Sequence, residues 1–260
     1  MLFRSANEAG EKIVVGEGKI TVMAKFFSTY AIGYTETTGS DTPEFPVVPD
    51  VPVYPFLPPV VNTNETNCTK GNTCPMHPYV DLDKKLWYHN GVHYCIENGL
   101  MTGLSATQFA PNMETSRAMI VTILWRLEGK PVVNYLMQFE DVSAETWYTE
   151  AVRWAASEKI VEGYNKFVFG TNDAITREQF ATILWHYAKA KGYDLEAGEG
   201  TDLFDFQVAL SVSEYAVSAM KWACGSSLME GDGVKLTPTA DATRVQAAAL
   251  FQRFCEEIAE

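Results

Sequence analysis

From about residue 75 to the end of the chain, apolar residues recur at helical spacing in pairs of short segments. Trp147, Ala151 and Trp154 fall on one face of a 3.6-residue period, which predicts an amphipathic helix. A second apolar stripe, which includes Phe180 and Leu184, predicts another helix after a loop. Two such helices cannot enclose a core, so we expect several helix–loop–helix units to pack on one another.

The first 40 residues follow a different pattern, in which apolar and polar positions alternate. The apolar runs at 13–15 and 20–23 are separated by two glycines, and a third run covers 27–34, which predicts two or three β-strands with a tight turn. So few strands cannot bury a stable core by themselves. We therefore expect residues 1–40 to be the remnant of a larger extracellular β-domain upstream; the alternative is a small hairpin docked on the rest of the chain.

A proline-rich segment, residues 41–67, separates the two patterns. Prolines occupy every third position from Pro43 to Pro58, which matches the three-residue turn of a polyproline II helix. At about 3.1 Å per residue, such a helix from Pro43 to Pro59 spans roughly 50 Å. We expect this segment to be a semi-rigid spacer between two modules.

The helical part of the sequence contains one repeat in three copies. The first two copies are offset by 60 residues without a gap, the third needs a short insertion near 207–215, and all six tryptophans fall at repeat-equivalent positions. Each copy has an apolar block that ends in glycine and a later block with Ser-Arg or Thr-Arg. The apolar blocks are 91–103, 151–163 and 219–231. The predicted units are residues 68–131, 132–196 and 197–260.

The Ser/Thr-Arg block predicts the start of the second helix in each copy. Thr176 and Thr243 are each followed three residues later by glutamine, which predicts a capping box. The arginine that follows opposes the helix dipole by about 0.3–1 kcal/mol, so its presence in all three copies indicates a compensating partner. That partner is either an aspartate of a neighbouring repeat or an external anion or polyol, and one arginine can serve both. The arginines are Arg117, Arg177 and Arg244, and the aspartates are Asp81, Asp141 and Asp205.

Charge and composition exclude several classes of function. The 20 basic and 33 acidic residues give a net charge of −13, which disfavours nucleic-acid binding or membrane adhesion through a basic face. No apolar run is long enough to span a membrane, and the first residues show no signal-peptide pattern. No nucleophile elbow, zinc-protease motif, phosphate loop or dinucleotide fingerprint is present, and Glu178 is interpreted as solvated or capping. We therefore predict no catalytic residue and no enzyme activity.

The repeat resembles the S-layer homology (SLH) family. The features that carry the resemblance are Phe139-Glu140-Asp141-Val142, the tryptophan six residues after the aspartate, Gly163 and the Ile175-Thr176-Arg177 motif. The resemblance covers about residues 75–258. It implies a mainly α fold in which three helix–loop–helix repeats pack as a pseudo-threefold spindle, preceded here by the small β remnant and the Pro-rich linker.

The resemblance also implies a function. SLH repeats anchor secreted proteins non-covalently to the bacterial cell wall by binding a secondary cell-wall polysaccharide, often pyruvylated, in grooves between repeats and without a cofactor. An arginine fork suits a pyruvate carboxylate, and an indole suits the apolar face of a sugar. Carried over by position, the ligand-binding residues are Arg117, Arg177, Arg244, Asp81, Asp141, Asp205, Trp87 and Trp147.

Departures from the family pattern leave alternatives open. The third copy has no tryptophan at the position of Trp87 and Trp147 and an altered opening, so its groove is either degenerate or serves folding only. The main alternative function is a protein–protein or self-assembly module of a surface layer. Another is the targeting module of a wall-active enzyme whose catalytic domain lies upstream, since the chain resembles a C-terminal fragment of an extracellular protein.

Cysteines and histidines near the first repeat suggest a competing chemistry. Cys68, Cys74, His89 and His93 approach zinc-finger spacing, with the histidines one helical turn apart. However, the gap between the cysteines is longer than the usual two to four residues, and the second repeat has Thr and Arg in place of the histidines. In a secreted protein, Cys68 would more readily form a disulfide with Cys74 or Cys95. We therefore assign no metal and leave the disulfide pairing open.

Overall fold

The chain divides into two units, Met1–Pro52 and Val53–Glu260. The computed structural model describes residues 12–16, 19–23, 68–203, 211–229 and 236–259. In the first unit, strands β1 (Lys12–Gly16) and β2 (Lys19–Met23) pair antiparallel, with Lys12 opposite Met23 and Gly16 opposite Lys19. Both strands lie at the apolar runs from which they are predicted. The third run and the proline-rich segment lie outside the described residues, and the origin of the strands in a larger domain stays a prediction.

The described part of the second unit contains six α-helices, two for each repeat, which confirms the mainly α fold. The helices are α1 (His89–Glu97), α2 (Arg117–Leu127), α3 (Thr149–Ser157), α4 (Arg177–Lys191), α5 (Val217–Gly225) and α6 (Arg244–Glu257). Among the residues that the structure describes, no helix combines the length and the apolar character needed to cross a membrane.

The helices of different repeats pack in a closed ring. The first helix of each repeat packs on the second helix of another: α3 on α2, α5 on α4, and α1 on α6. Large apolar side chains from all three repeats are fully buried in one shared core, among them Phe109, Tyr187 and Trp222. The pseudo-threefold arrangement follows because no repeat completes its own core.

Three backbone hydrogen bonds form a cycle at the place where the repeats meet. Thr115 N–H donates to the Ala242 carbonyl (2.8 Å), Ala242 N–H to the Ile175 carbonyl (2.9 Å), and Ile175 N–H to the Thr115 carbonyl (2.9 Å). Each of these residues lies two positions before the arginine that begins a helix. The N-termini of α2, α4 and α6 therefore converge on the pseudo-threefold axis.

Each of these helix N-termini is bound by backbone of the next repeat. The N–H of Arg117 donates to the Asp173 carbonyl (3.0 Å), and that of Arg177 donates to the Ala240 carbonyl (2.9 Å). The first N–H groups of a helix have no acceptor within the helix, so the neighbouring repeat supplies one. The capping box predicted at Thr176 is present with Gln179.

Candidate functional site at the repeat junctions

Arg117 begins α2 and reaches into the second repeat. Its Nε donates to the Phe169 carbonyl at 3.0 Å and its Nη2 to the Glu162 carbonyl at 2.9 Å. The guanidinium carbon lies 4.8 Å from the centre of the Tyr164 ring and 4.9 Å from that of Phe169, which is cation–π geometry. Burial lowers the pKa of Arg117, but an arginine stays protonated in proteins. The cation is therefore compensated by carbonyl dipoles and aromatic rings.

The other two arginines make the same type of contact around the ring. Arg244 Nε donates to the Phe109 carbonyl at 2.8 Å and Nη2 to the Thr102 carbonyl at 2.7 Å. Arg177 donates from Nε to the Leu236 carbonyl at 3.1 Å. Each arginine thus holds a loop of the next repeat. A partner in a neighbouring repeat, one of the two alternatives left open by the sequence, is present, but it is backbone carbonyl oxygen rather than an aspartate.

Asp81 and Asp141 hold the same loops through N–H groups. The Asp81 carboxylate accepts from the N–H of Phe109 at 2.9 Å, and the Asp141 carboxylate accepts from the N–H of Phe169 at 2.7 Å; each also binds the next N–H along the chain. Burial disfavours ionisation of both carboxyls, but these donors outweigh it, and the pKa of each is lowered. Phe109 and Phe169 are therefore held at their N–H by an aspartate and at their carbonyl by an arginine. Asp205 lies outside the described residues.

Trp87 and Trp147 are exposed at equivalent positions of the first two repeats. Their exposed fractions are 65% and 54%. Each indole stands edge-on to the next residue, with ring centroids 5.7 Å apart for Trp87–Tyr88 and 5.0 Å apart for Trp147–Tyr148. Because both tyrosines are buried, they fix the orientation of the exposed rings. A large exposed aromatic side chain that recurs at one position is typical of a contact surface.

A cleft of about 590 Å³ opens in the second repeat. Its aromatic and basic lining residues are Tyr135, Phe139, Tyr164, Lys159 and Lys166. None of the seven described residues predicted to bind the ligand lines this cleft, but its wall residues Glu162 and Tyr164 both contact Arg117. The sequence gives no signal for the cleft, because single tyrosines and lysines in loops carry no diagnostic spacing.

Glu178, at the start of α4, makes contacts that the sequence pattern does not predict. Its carboxylate accepts from Ser213 N–H at 2.9 Å, from Ser213 Oγ at 2.7 Å and from Tyr215 Oη at 3.1 Å. Of the two interpretations of Glu178, solvated or capping, the solvated one is wrong, since only 4% of the residue is exposed. Burial and the adjacent Glu178 carboxylate raise the pKa of Tyr215 to about 12. The carboxylate thus joins the second repeat to the third.

Comparisons with known proteins match this architecture to one domain family. The family model described as "S-layer homology domain" matches residues 78–118 and 138–181, within the first two repeats. The chain is 31% identical over 174 residues to the "Surface-layer 125 kDa protein" of Lysinibacillus sphaericus, covering 64% of this chain and 14% of that protein. It is 28% identical over 203 residues to an "Endoglucanase" of Bacillus sp. (strain KSM-635), covering 77% of this chain and 21% of the enzyme.

A further similarity is to the "Amylopullulanase" of Thermoanaerobacterium thermosulfurigenes, at 27% identity over 176 residues. That alignment covers 67% of this chain and 9% of the enzyme. The chain therefore spans less than a quarter of the length of each of these three relatives. What they share with it is the repeat region.

Proposed function

We propose that the chain is a cell-surface anchoring module built of S-layer homology repeats, and that it performs this function by binding a cell-wall polysaccharide. The observation that carries the proposal is the pair of exposed indoles, Trp87 and Trp147, each oriented by a buried tyrosine. The exposed face of each indole does not pack in the core. An exposed, oriented aromatic ring offers a flat apolar surface to the C–H face of a sugar ring.

The charge of the chain sets a condition on an anionic polymer such as a pyruvylated polysaccharide. The net charge of −13 repels it at long range, but physiological salt screens charges beyond about 8 Å. Attraction must then come from local cations. Lys159 and Lys166 line the cleft together with aromatic rings, and this mixture suits a polymer with both apolar sugar faces and carboxylates.

Direct ligand contact by the arginines and aspartates stays a prediction. Arg117 and Arg244 are only 6% and 5% exposed, and they donate to carbonyls of the next repeat. Their contribution to binding is therefore mainly to hold the loops around the cleft and the repeat junctions. Asp81 and Asp141 hold the same loops, because their carboxylates accept from loop N–H groups.

The proposed mechanism is equilibrium binding without turnover. The module attaches to the wall whatever protein domain is joined to it. The second candidate function is the attachment of a catalytic domain. Two of the relatives are described as an endoglucanase and an amylopullulanase, and their aligned regions are 21% and 9% of their lengths. In this version the repeats target a wall-active enzyme to its substrate.

The test is the affinity of the chain for soluble polysaccharide released from the walls of the organism that encodes it. Replacing both indoles, Trp87→Ala and Trp147→Ala, weakens binding by about tenfold or more, because two stacking contacts are lost. Leu136→Ala is the matched control, since Leu136 is 86% exposed and is not among the residues that line the cleft. Circular dichroism verifies that the variants are folded.

Two outcomes would contradict the proposal. One is an affinity unchanged by the double replacement. The other is no binding by the wild-type chain together with self-association that rises with concentration in sedimentation experiments, which would instead support a self-assembly module of a surface layer.

A further inference from the structure

We propose that Cys68, Cys74, His89 and His93 form a structural zinc site that fixes the first residues of the first repeat to α1. One ligand atom from each residue lies within 4.8 Å of all the others. Cys74 Sγ is 3.7 Å from His89 Nε2 and 3.7 Å from His93 Nδ1. A tetrahedral zinc ion with Zn–S of about 2.3 Å and Zn–N of about 2.0–2.1 Å separates sulfur and nitrogen ligands by about 3.6 Å.

The outward nitrogen of each histidine ring has its own partner. His89 Nδ1 is 3.1 Å from Asn90 Oδ1, and His93 Nε2 is 3.2 Å from a carboxylate oxygen of Glu97. Donation of these N–H groups leaves His89 Nε2 and His93 Nδ1 with lone pairs directed at the cysteines. Metal-binding histidines almost always have such an oxygen acceptor on the other nitrogen, which fixes the tautomer and orients the ring.

The sulfur ligands are also positioned by the chain. The Lys70 N–H donates to Cys68 Sγ at 3.3 Å, which helps to fix the position of this sulfur. The N–H of Cys74 donates to the Gly71 carbonyl at 3.2 Å, which turns the segment back toward α1. This turn explains how two cysteines with five residues between them reach one site. The loop thus accommodates a gap between the cysteines that is longer than the usual two to four residues.

The ligand set and its burial indicate which metal is bound and for what purpose. Two thiolates and two imidazoles in a tetrahedral arrangement suit zinc. Cys74, His89 and His93 are 2%, 3% and 6% exposed, and Cys68 is half-buried. Four protein ligands fill the tetrahedral shell and leave no position for water or substrate. The site is therefore structural rather than catalytic.

Two of the four ligands come from outside the repeated motif. The site is therefore a feature of the first repeat and is not expected to recur in the others. Cys68 and Cys74 precede the Asp81 motif, at the start of the first repeat. In the second repeat, the position of His89 is occupied by Thr149, whose hydroxyl donates to the Ser143 carbonyl at 2.7 Å. The replacement of both histidines by Thr149 and Arg153 in the second repeat is expected for a site that holds only the first residues of the first repeat against α1.

A disulfide is the competing use of the cysteines. Cys95 is not available to Cys68, because its thiol is fully buried and directed at the Ala248 carbonyl of α6 at 3.5 Å. The competition is therefore between zinc and a Cys68–Cys74 disulfide. Zinc binding releases two thiol protons and leaves both sulfurs reduced, whereas the disulfide requires an oxidant that removes two hydrogens.

The test measures zinc in the full chain, produced without a polyhistidine tag and kept reduced. After equilibration with zinc chloride and gel filtration, elemental analysis gives about one zinc per wild-type chain. Cys74→Ser and His93→Gln abolish stoichiometric zinc. His77→Gln and Cys224→Ser retain it, because neither residue belongs to the cluster. His77 is exposed on the same loop, so it is a close control for surface histidines.

Cobalt makes the result independent of whether a variant folds. Cobalt(II) added to the chelator-treated wild-type chain gives the visible absorption of a tetrahedral thiolate–imidazole site, and one equivalent of zinc removes that absorption. The proposal is overturned if the reduced wild-type chain binds no stoichiometric zinc or if Cys74→Ser retains it. It is also overturned if the chain secreted by its own organism contains no zinc and has a mass two hydrogens lower, located in a Cys68–Cys74 peptide.

Discussion

An arginine at the first position of a helix opposes the helix dipole, yet this chain has one in each repeat. The dipole costs about 0.3–1 kcal/mol, whereas each hydrogen bond from a charged donor contributes about 1.5–3 kcal/mol. Arg117 and Arg244 each make two such bonds to carbonyls of the next repeat. The favourable contacts therefore outweigh the unfavourable position, and the arginine has a structural role whether or not it also contacts a ligand.

Replacing Arg244 with methionine tests this role. Arg244→Met leaves the carbonyls of Phe109 and Thr102 without their donor, so we expect the free energy of unfolding to fall by about 2–4 kcal/mol. The measurement is urea denaturation followed by tryptophan fluorescence. Arg153→Met is the control, because Arg153 pairs with Glu150 on its own helix near the surface and should change stability by about 0.5 kcal/mol or less. Equal losses for the two variants would refute a special role for Arg244.

Among the secondary-structure elements, α1 of the first repeat and α6 of the third repeat approach each other closely. A Cβ atom at Gly91 of α1 would lie 2.6 Å from Ala249 Cα and 2.9 Å from the Ala248 carbonyl carbon, both backbone atoms of α6. The equivalent residue of α3 is Ala151, so the α2–α3 pair accommodates a methyl group that the α1–α6 pair does not. Gly91 therefore permits the first and third repeats to meet.

The Gly91→Ala variant tests the close approach of α1 and α6. Alanine favours an isolated helix over glycine by about 1 kcal/mol, but here the added methyl group must push α1 away from α6. We expect net destabilisation of about 1–3 kcal/mol in thermal or urea unfolding. The reciprocal change, Ala151→Gly, also destabilises by about 1 kcal/mol, because α3 loses helix propensity without relieving any clash. A more stable Gly91→Ala variant would show that the two helices are not in close contact.

The elements were predictable from the sequence where short-range rules apply. Helices α2, α4 and α6 begin at Arg117, Arg177 and Arg244, each directly after the predicted Ser or Thr cap. The partners of these arginines were not predictable, because they are backbone carbonyls, which every residue has. The site at Glu178 and the cleft depend on loops from distant parts of the chain, for which the repeat pattern gives no distances.

At the scale of the whole molecule, three incomplete units make one core, and the surface features recur with the repeat. The closed ring fixes the positions of the loops that Arg117 and Asp141 hold, and it presents two oriented indoles. Under the proposed function, we expect such a surface to bind a repetitive polymer more strongly than one repeat alone, because each further contact is then intramolecular. Anchoring needs no catalysis and no energy source.

Sedimentation of the chain with purified cell walls, before and after their secondary polysaccharide is chemically removed, tests the anchoring mechanism most directly. The walls come from the organism that encodes the chain, and the double variant Trp87→Ala, Trp147→Ala is measured beside the wild type. We expect the wild-type chain to pellet with intact walls and to stay in the supernatant with stripped walls, and we expect the double variant to pellet less with intact walls. Undiminished pelleting with stripped walls would contradict the anchoring mechanism.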